Sequence, residues 1–511
     1  METSPNLTSA PMSPSTSGSP TLARLDEMRA FGGQARTVGI PDRLIEQFAA
    51  RDPNLRLAVE RAHRQHQDLQ GEWPQLAGAE ADLVLFLQAD YVNFYVPATV
   101  NPYVPLGAAG PWVVTSHGAV LHDSGGYGML GLGHAPEPVL ASMTEPWPMA
   151  NVMTPSFAQK RLASRLRTEV GHTRASGCPF ASFLCANSGS EAVTLASRIS
   201  DINARTQTEP GARHAGKTIK FLALTGSFHG RTGRPAQVSH STRRKYDQHL
   251  ASFRRLDNLI TVEPNDVAGL RAAFADADAN GIFIESMFIE PVMGEGRPGM
   301  PMSRDFYDAA RELTTAMGSL LIVDSIQAGL RAHGVLSIVD YPGFQDCEAP
   351  DLETWSKALN AGQYPLSVVG ATADAAALYV TGVYGNTMTT NARGLEVACA
   401  VLDSLTPELR ANIVLRGEQL LDMLRELQAE LPGMITTIRG TGLLFCAELD
   451  PERYRVVGFG GVEEACRLAG LGVIHGGKNA LRFTPWFGIT EAEVDLMRQL
   501  LRGVLTAFYE A

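Results

Sequence analysis

From Phe180 onward the chain alternates near-continuous apolar runs with segments of helical period. FASFLCANSG leads into SEAVTLASRISDI, and IKFLALTGSF, GIFIESMFIEPVM, SRDFYDAARELTTAM and LLIVD follow in turn. Apolar runs that do not alternate, separated by helices, predict strands buried on both faces, hence a mostly parallel sheet covered on each side. PLSVVGATA predicts one more strand, and a long helix runs from Arg393 through LEVACAVLDSL. Upstream the rhythm differs. From about Thr21 to Gln88 the period is helical, with Ile45, Phe48 and Ala49 on one face and LRLAVERAHRQHQDL carrying charge on the other. Between Asn93 and Pro148, glycines, prolines and aromatics surround two short strands, PWVVTS and GAVLHD. Beyond Thr406 come a helix, a strand pair (MITTIRGTG, LLFCAELD), a second helix, GVIHGG, NALRFTP and a last helix. The pattern divides the chain into a tail (1–22), a helical N-terminal extension (23–90), a small α+β domain (91–150 plus 400–511) and a large α/β domain (151–399).

A length of 511 residues fits two or more domains, and 45% hydrophobic with 19% charged residues is the balance of a globular enzyme. The net charge of −11 argues against a nucleic-acid or anionic-membrane partner. Arg243, Arg244 and Lys245 read as a solvated face, as do His63, Arg64 and His66, so no metal is expected. Cys178, Cys185, Cys347, Cys399, Cys446 and Cys466 form no CxxC pair, which suits reduced thiols in the cytoplasm. The opening METSPNLTSAPMSPSTSGSP lacks the basic start and apolar core of a secretory signal and predicts a disordered tail. No apolar run is long enough to span a bilayer.

The chemistry concentrates in LLIVDSIQAG (320–329) and DLETWSKALNAG (351–362). The first ends a buried strand on Asp324, with Gln327 one short turn on; the second carries Lys357 beside a small, glycine-bearing loop. A lysine for a Schiff base and a carboxylate for a pyridine nitrogen are what pyridoxal phosphate requires. ANSGSEA (186–192) adds a strand-to-helix turn whose free N–H groups at Gly189 and Ser190 suit an anion. In GSFHGRTG (226–233), Phe228 can cover an aromatic ring and Arg231 can clamp a carboxylate. A rival exists in GEGRPG (294–299), which satisfies the dinucleotide fingerprint GxGxxG. Pro298, Pro301 and Met302 obstruct the helix that should open there, and Glu295 would face a pyrophosphate.

In this order the segments resemble the class III aminotransferases, pyridoxal-phosphate enzymes of fold type I. ANSGSEA is similar to their phosphate turn, FHG to their ring-stacking motif, and EPVMGEG (290–296), which Glu290 opens, to their EP-x-x-GE segment. VDSIQAG and SKALNAG resemble the aspartate-glutamine strand and the lysine segment; YGMLGLGH (127–134), TMTTNARG (387–394) and LRFTP (481–485) match further blocks. The resemblance covers roughly residues 90 to 505.

It implies that Lys357 forms the internal aldimine and moves protons, and that Asp324 keeps the pyridine nitrogen protonated. Gln327 would bond the ring hydroxyl, Phe228 would stack on the ring with His229 beside it, and Gly189 and Ser190 would hold the phosphate. Thr387 would join them from a partner subunit, which implies a homodimer with shared sites. On the substrate side Arg482 would bind a carboxylate and Glu295 would mask it when an ω-amine is bound, with Tyr95, Tyr127, Arg231 and Glu290 around them. The expected reaction moves an amino group between an amino acid or ω-amine and a 2-oxo acid. Racemisation, epimerisation or decarboxylation is the alternative on the same scaffold. A non-catalytic dimer is a third reading, against which the intact Lys357, Asp324 and Gln327 count. The departures from the family pattern are Ser325, Ser356, Asn360, Ala361 and Ala392.

Overall fold

The computed structural model describes residues 19–511, so most of the expected tail lies outside the described residues. Four helices open the chain: α1 (Pro20–Phe31), α2 (Asp42–Ala49), α3 (Pro53–Gln70) and α4 (Glu80–Gln88). Proline in the first turn of α1 and α3, behind caps from Ser19 and Asp52, starts each where its missing N–H costs nothing. Three short strands follow, β1 (Pro105–Ala109), β2 (Trp112–Thr115) and β3 (Val120–Asp123). Next come β4 (Ser182–Ala186), β5 (Thr218–Leu224), β6 (Leu259–Val262), β7 (Ile282–Ile289), β8 (Leu320–Asp324), β9 (Leu352–Trp355) and β10 (Ser367–Ala371). The C-terminal strands are β11 (Ile435–Thr441), β12 (Leu444–Leu449), β13 (Leu471–Gly472), β14 (Ile474–Gly476) and β15 (Ala480–Phe483).

The large sheet has seven strands in the order β4-β10-β9-β8-β7-β5-β6. Its run from β9 to β6 is parallel, and only β10 lies antiparallel to its neighbours β4 and β9. β8 is buried along its whole length, the environment its unbroken apolar run demands. This is the mixed α/β, mostly parallel fold expected of a fold type I enzyme. The periodicity did not reveal β6 or β9. In β9 the apolar pattern is broken by Glu353, which is nevertheless fully buried and accepts hydrogen bonds from the Ser325 and Ser337 hydroxyls and, at 3.0 Å, from the Ile338 N–H.

Two four-stranded sheets lie outside the large one, β1-β2-β3-β13 and β11-β12-β15-β14. The parallel pairing of β13 with β3 joins the N-terminal glycine- and proline-rich region to the C-terminal segment. The helical extension is built into this assembly: α3 lies so close to β1 that a Cβ on Gly107 would collide with the Ala58 carbonyl and the Ala62 N–H. His66, expected on a solvated face, is buried there instead, edge-on to Phe31 at 5.1 Å, and its burial lowers its pKa. Among the described residues no helix is long and apolar enough to cross a membrane.

Candidate active site

A cavity of about 450 Å³ opens beyond the carboxyl ends of β7 and β8, within the usual range for small-molecule sites. Asp324, the last residue of β8, is 5% exposed. Its Oδ2 accepts from His229 Nδ1 at 2.9 Å, and its Oδ1 accepts from the Ile326 N–H (3.1 Å) and the Thr354 hydroxyl (3.2 Å). Such donors fix a carboxylate in place. Behind it, Glu290 accepts from the Phe228 and Gly294 N–H groups at 3.1 and 2.9 Å. Burial, opposed by His229 and reinforced by the charge of Asp324, pushes its pKa up to about 7.

At the other edge, the helix Gly189–Thr208 starts at the cavity wall. Ser188 caps it by accepting from the Glu191 N–H at 3.2 Å, and Glu191 reaches back to the Asn187 N–H at 2.7 Å. The first helical N–H groups, at Gly189 and Ser190, are the kind left for an anion. Phe228 and Ile326 contribute apolar surface to the same cavity.

Lys357 begins a short 3-10 turn, Lys357–Asn360, with φ 47°, a left-handed conformation rare outside glycine. Its Nζ donates to Gln327 Oε1, and Gln327 Nε2 donates to the Tyr127 carbonyl at 3.2 Å. Burial foremost, then the charge of Arg482, pushes the Lys357 amine down to about 8, while Glu295, Asp324 and Glu290 pull the other way. Two of the family departures anchor this turn: the Ser356 hydroxyl and Asn360 Nδ2 both donate to the Leu366 carbonyl, at 2.8 and 2.9 Å. An anion-binding helix start, apolar wall groups, a fixed buried carboxylate and an amine held near neutrality are together a donor set that fits pyridoxal phosphate.

The facing wall comes from elsewhere. Arg482, on β15 and 2% exposed, donates to the Gly294 carbonyl and pairs with Glu295 Oε2 at 3.1 Å. Its guanidinium lies 5.8 Å from the Tyr127 ring. Arg231 sits over the rings of Phe228 (5.2 Å) and Tyr95 (5.6 Å) at the rim. All the expected site residues except Thr387 line one cavity. Thr387 is exposed on the loop before the helix Ala392–Asp403, where its carbonyl accepts from the Val152 N–H at 3.3 Å. The GEGRPG segment forms a loop, not a helix start, and packs against Gly226 and Gly440.

The "Aminotransferase class-III" family model matches residues 95–505 of this chain. The chain belongs to the class III aminotransferases. It is 32% identical to the acetylornithine aminotransferase of Xanthomonas axonopodis pv. citri over 73% of this chain and 85% of that protein. Identity is 30% to the acetylornithine aminotransferase of Neisseria meningitidis serogroup A, over 80% of this chain and 96% of that one. In fold it is similar to the crystal structure of ornithine aminotransferase from Toxoplasma gondii ME49, with TM-score 0.72, 23% identity, and 87% and 99% of the two chains covered. N-acetylornithine aminotransferase from Stenotrophomonas maltophilia K279a gives TM-score 0.64 at 24% identity, covering 83% and 99%. The protein is thus a pyridoxal-phosphate-dependent aminotransferase. The family and these relatives support amino transfer over the racemase or decarboxylase alternative.

Sequence reasoning missed several residues of this aminotransferase site. Ile326 was legible from its place between Asp324 and Gln327. His475 on β14 lines the cavity, and its Nδ1 bonds Glu463 Oε2 at 3.0 Å; GVIHGG gave no sign of that partner. Behind the cavity lining, Arg331 is wholly buried, pairs with no carboxylate among the described residues, and donates to the carbonyls of Gly128 (3.3 Å), Leu443 (3.3 Å) and Pro485. It thereby ties the loop after Gln327 to the segments carrying Tyr127 and Arg482. Its guanidinium also lies 5.1 Å from the centre of the Phe487 ring.

Proposed function

We propose that this aminotransferase moves an amino group from a carboxylate-bearing amino acid or ω-amine donor of the ornithine type to a 2-oxo acid, with Lys357 and Asp324 as catalytic residues. The observation that carries this reading is one cavity lined by Lys357 and Asp324 on one side and the Arg482–Glu295 pair on the other. When bound, pyridoxal phosphate supplies the electron sink for the pair left at the reacting carbon. Gly189 and Ser190 would hold its phosphate, Phe228 and Ile326 would supply apolar contact for its ring with His229 close by, Gln327 would bond its hydroxyl and Asp324 would accept its pyridine N–H. Lys357 would anchor it, and Nζ would take the proton from the donor's reacting carbon. An amine pushed down to about 8 is roughly one-tenth neutral at pH 7, far more than an ordinary lysine, and a base requires the neutral form.

Arg482 binds the carboxylate of an acid substrate. Glu295 covers that cation when an ω-amine occupies the site, so that no unpaired charge is left buried. Tyr95, Tyr127 and Arg231 position the remainder of the substrate and exclude water, while Glu290 holds the loop that carries Glu295. The enzyme works as a homodimer in which the partner's copy of Thr387 completes the phosphate site. The strongly exposed Val92, Phe94, Met153 and Phe157 support such an interface. The cytoplasm is its compartment, which six free thiols suit.

A screen of amino donors against 2-oxoglutarate and pyruvate, followed by absorption of each half-reaction, tests the reading. A productive donor converts the cofactor to its aminated form before any oxo acid is added. Lys357→Ala removes this conversion and turnover; a variant with full activity would overturn the assignment.

A further inference from the structure

Gln327 faces two partners that leave its amide no choice of sense. The Tyr127 carbonyl can only accept and the Lys357 ammonium can only donate, so Nε2 belongs on the first, at 3.2 Å, and Oε1 on the second. The sense therefore depends on where the Tyr127 carbonyl is held. Tyr127 and Gly128 both have left-handed backbones, at φ 53° and 80°, in a loop outside any strand. Gly128 is instead gripped at both its polar groups: its N–H donates to the Thr484 hydroxyl at 3.2 Å, and its carbonyl accepts from Arg331 Nη2 at 3.3 Å. The fit is close, since a Cβ on Gly128 would lie 2.2 Å from Gln327 Nε2. The other arm of the Arg331 fork, Nη1, donates to the carbonyls of Leu443 (3.3 Å) and Pro485, while the Arg331 carbonyl accepts from the Leu443 N–H at 3.0 Å.

Burying a guanidinium on carbonyls alone carries a desolvation penalty that apolar packing between the same segments would not. One of those carbonyls, that of Gly128, adjoins the group that orients Gln327. We propose that Arg331 is a positioning residue of this aminotransferase: it holds the Tyr127–Gly128 segment so that the Gln327 amide keeps its nitrogen on the Tyr127 carbonyl and its oxygen on Lys357 Nζ. An acceptor on the ammonium favours its charged form, so this oxygen opposes the burial that favours the neutral amine. Once Lys357 is engaged, the same oxygen is left for the cofactor's hydroxyl. The charged groups acting on Nζ are Arg482, Glu295, Asp324 and Glu290, and Tyr127 and His229 line the same cavity. The consequence for catalysis rests on Lys357 being the cofactor's anchor; the positioning itself does not.

The pH profile of Lys357 acetylation by acetic anhydride in the full-length apoenzyme, read by peptide mass spectrometry, follows the neutral amine without any cofactor. Gln327→Met removes the acceptor and should move the midpoint down by about one pH unit. Arg331→Lys keeps the charge but not the planar fork. It should move the midpoint down by about half a unit, seen as about threefold faster labelling near neutral pH, yet leave it unmoved in the Gln327→Met background. Arg331→Gln repeats the cycle without the charge; whatever the lost cation contributes appears in both backgrounds and cancels, as do the titrations of the facing groups. An arginine that only braced the fold would lower the melting temperature and shift the two backgrounds equally or not at all. The inference is overturned if Gln327→Met leaves the profile unmoved, if neither Arg331 variant moves it, or if their shifts persist undiminished in Gln327→Met. If borohydride reduction of the holoenzyme fixes the cofactor to a residue other than Lys357, the reading of the site fails instead.

Discussion

The wall of the cavity proposed to hold the cofactor draws Asp324, Phe228, Gly189 and Lys357 from the ends of strands in one sheet. The wall proposed to face the substrate draws Tyr127, Glu295, His475 and Arg482 from a loop after β3, a loop after β7 and the β14–β15 hairpin. Burial follows the same division. Asp324 and His229 are 5% and 2% exposed, whereas Tyr95 and Tyr127 are 47% and 38% exposed. Groups that must hold one geometry through every turnover sit where a rigid sheet fixes them. Groups that must accept different substrates sit where separate segments meet. Arg482 is the exception on its wall, buried yet paired with the half-exposed Glu295. Only the acid of that pair has room to leave.

Asp324→Asn carries the largest expected effect. With an amide in its place the ring nitrogen loses its charged partner, and turnover falls at least about 100-fold. KM for the amino donor should change little, as steady-state kinetics would show; losses shared equally between kcat and KM would mean that the two walls do not divide their tasks.

Arg482→Met comes next and couples the walls. KM for the acidic substrate should rise about 30-fold, the low end of the roughly 2–5 kcal/mol lost when a buried charged partner is removed. The cationic arginine disfavours a second cation, so its loss should also move the Lys357 amine up from about 8. Cofactor capture by the apoenzyme needs the neutral amine. Its rate should therefore rise with pH through a midpoint that lies higher in the variant, measurable by absorbance after mixing. An unchanged midpoint would make the walls electrostatically independent.

The smallest effect concerns the scaffold under the first wall. Burial raises the Glu353 carboxyl from its ordinary 4.5 to about 7. Between those values the folded chain keeps a proton that the unfolded chain releases, so this group's contribution to stability falls as pH rises from about 4.5 to 7 and is level above. Glu353→Gln should flatten that slope in urea unfolding measured on both sides of the window. A slope as steep as that of wild type would show that the burial cost lies elsewhere.

What the sequence disclosed follows from how far each signal reaches. Asp324, Lys357 and the turn at Gly189 announce themselves within a few residues, because a strand end, a loop and a helix cap are local structures. β8 was plain from its apolar run, but β9 was hidden by Glu353, whose partners Ser325 and Ser337 belong to other segments. His475 and Arg331 were silent for the same reason. One takes its meaning from Glu463 and the other from three carbonyls, none of them adjacent in the chain. The antiparallel setting of β10 is also a matter of pairing, which an apolar run does not encode.

The backbone at Lys357, at φ 47°, has a consequence for how variation at this position would be read. A side chain with a Cβ costs about 1 kcal/mol in that conformation, a cost glycine does not carry. A library screened only for cellular abundance should therefore rank glycine above lysine at position 357, while a library screened for turnover should admit lysine alone. Where those two rankings cross, the chain has kept a residue for its chemistry against the preference of its own fold.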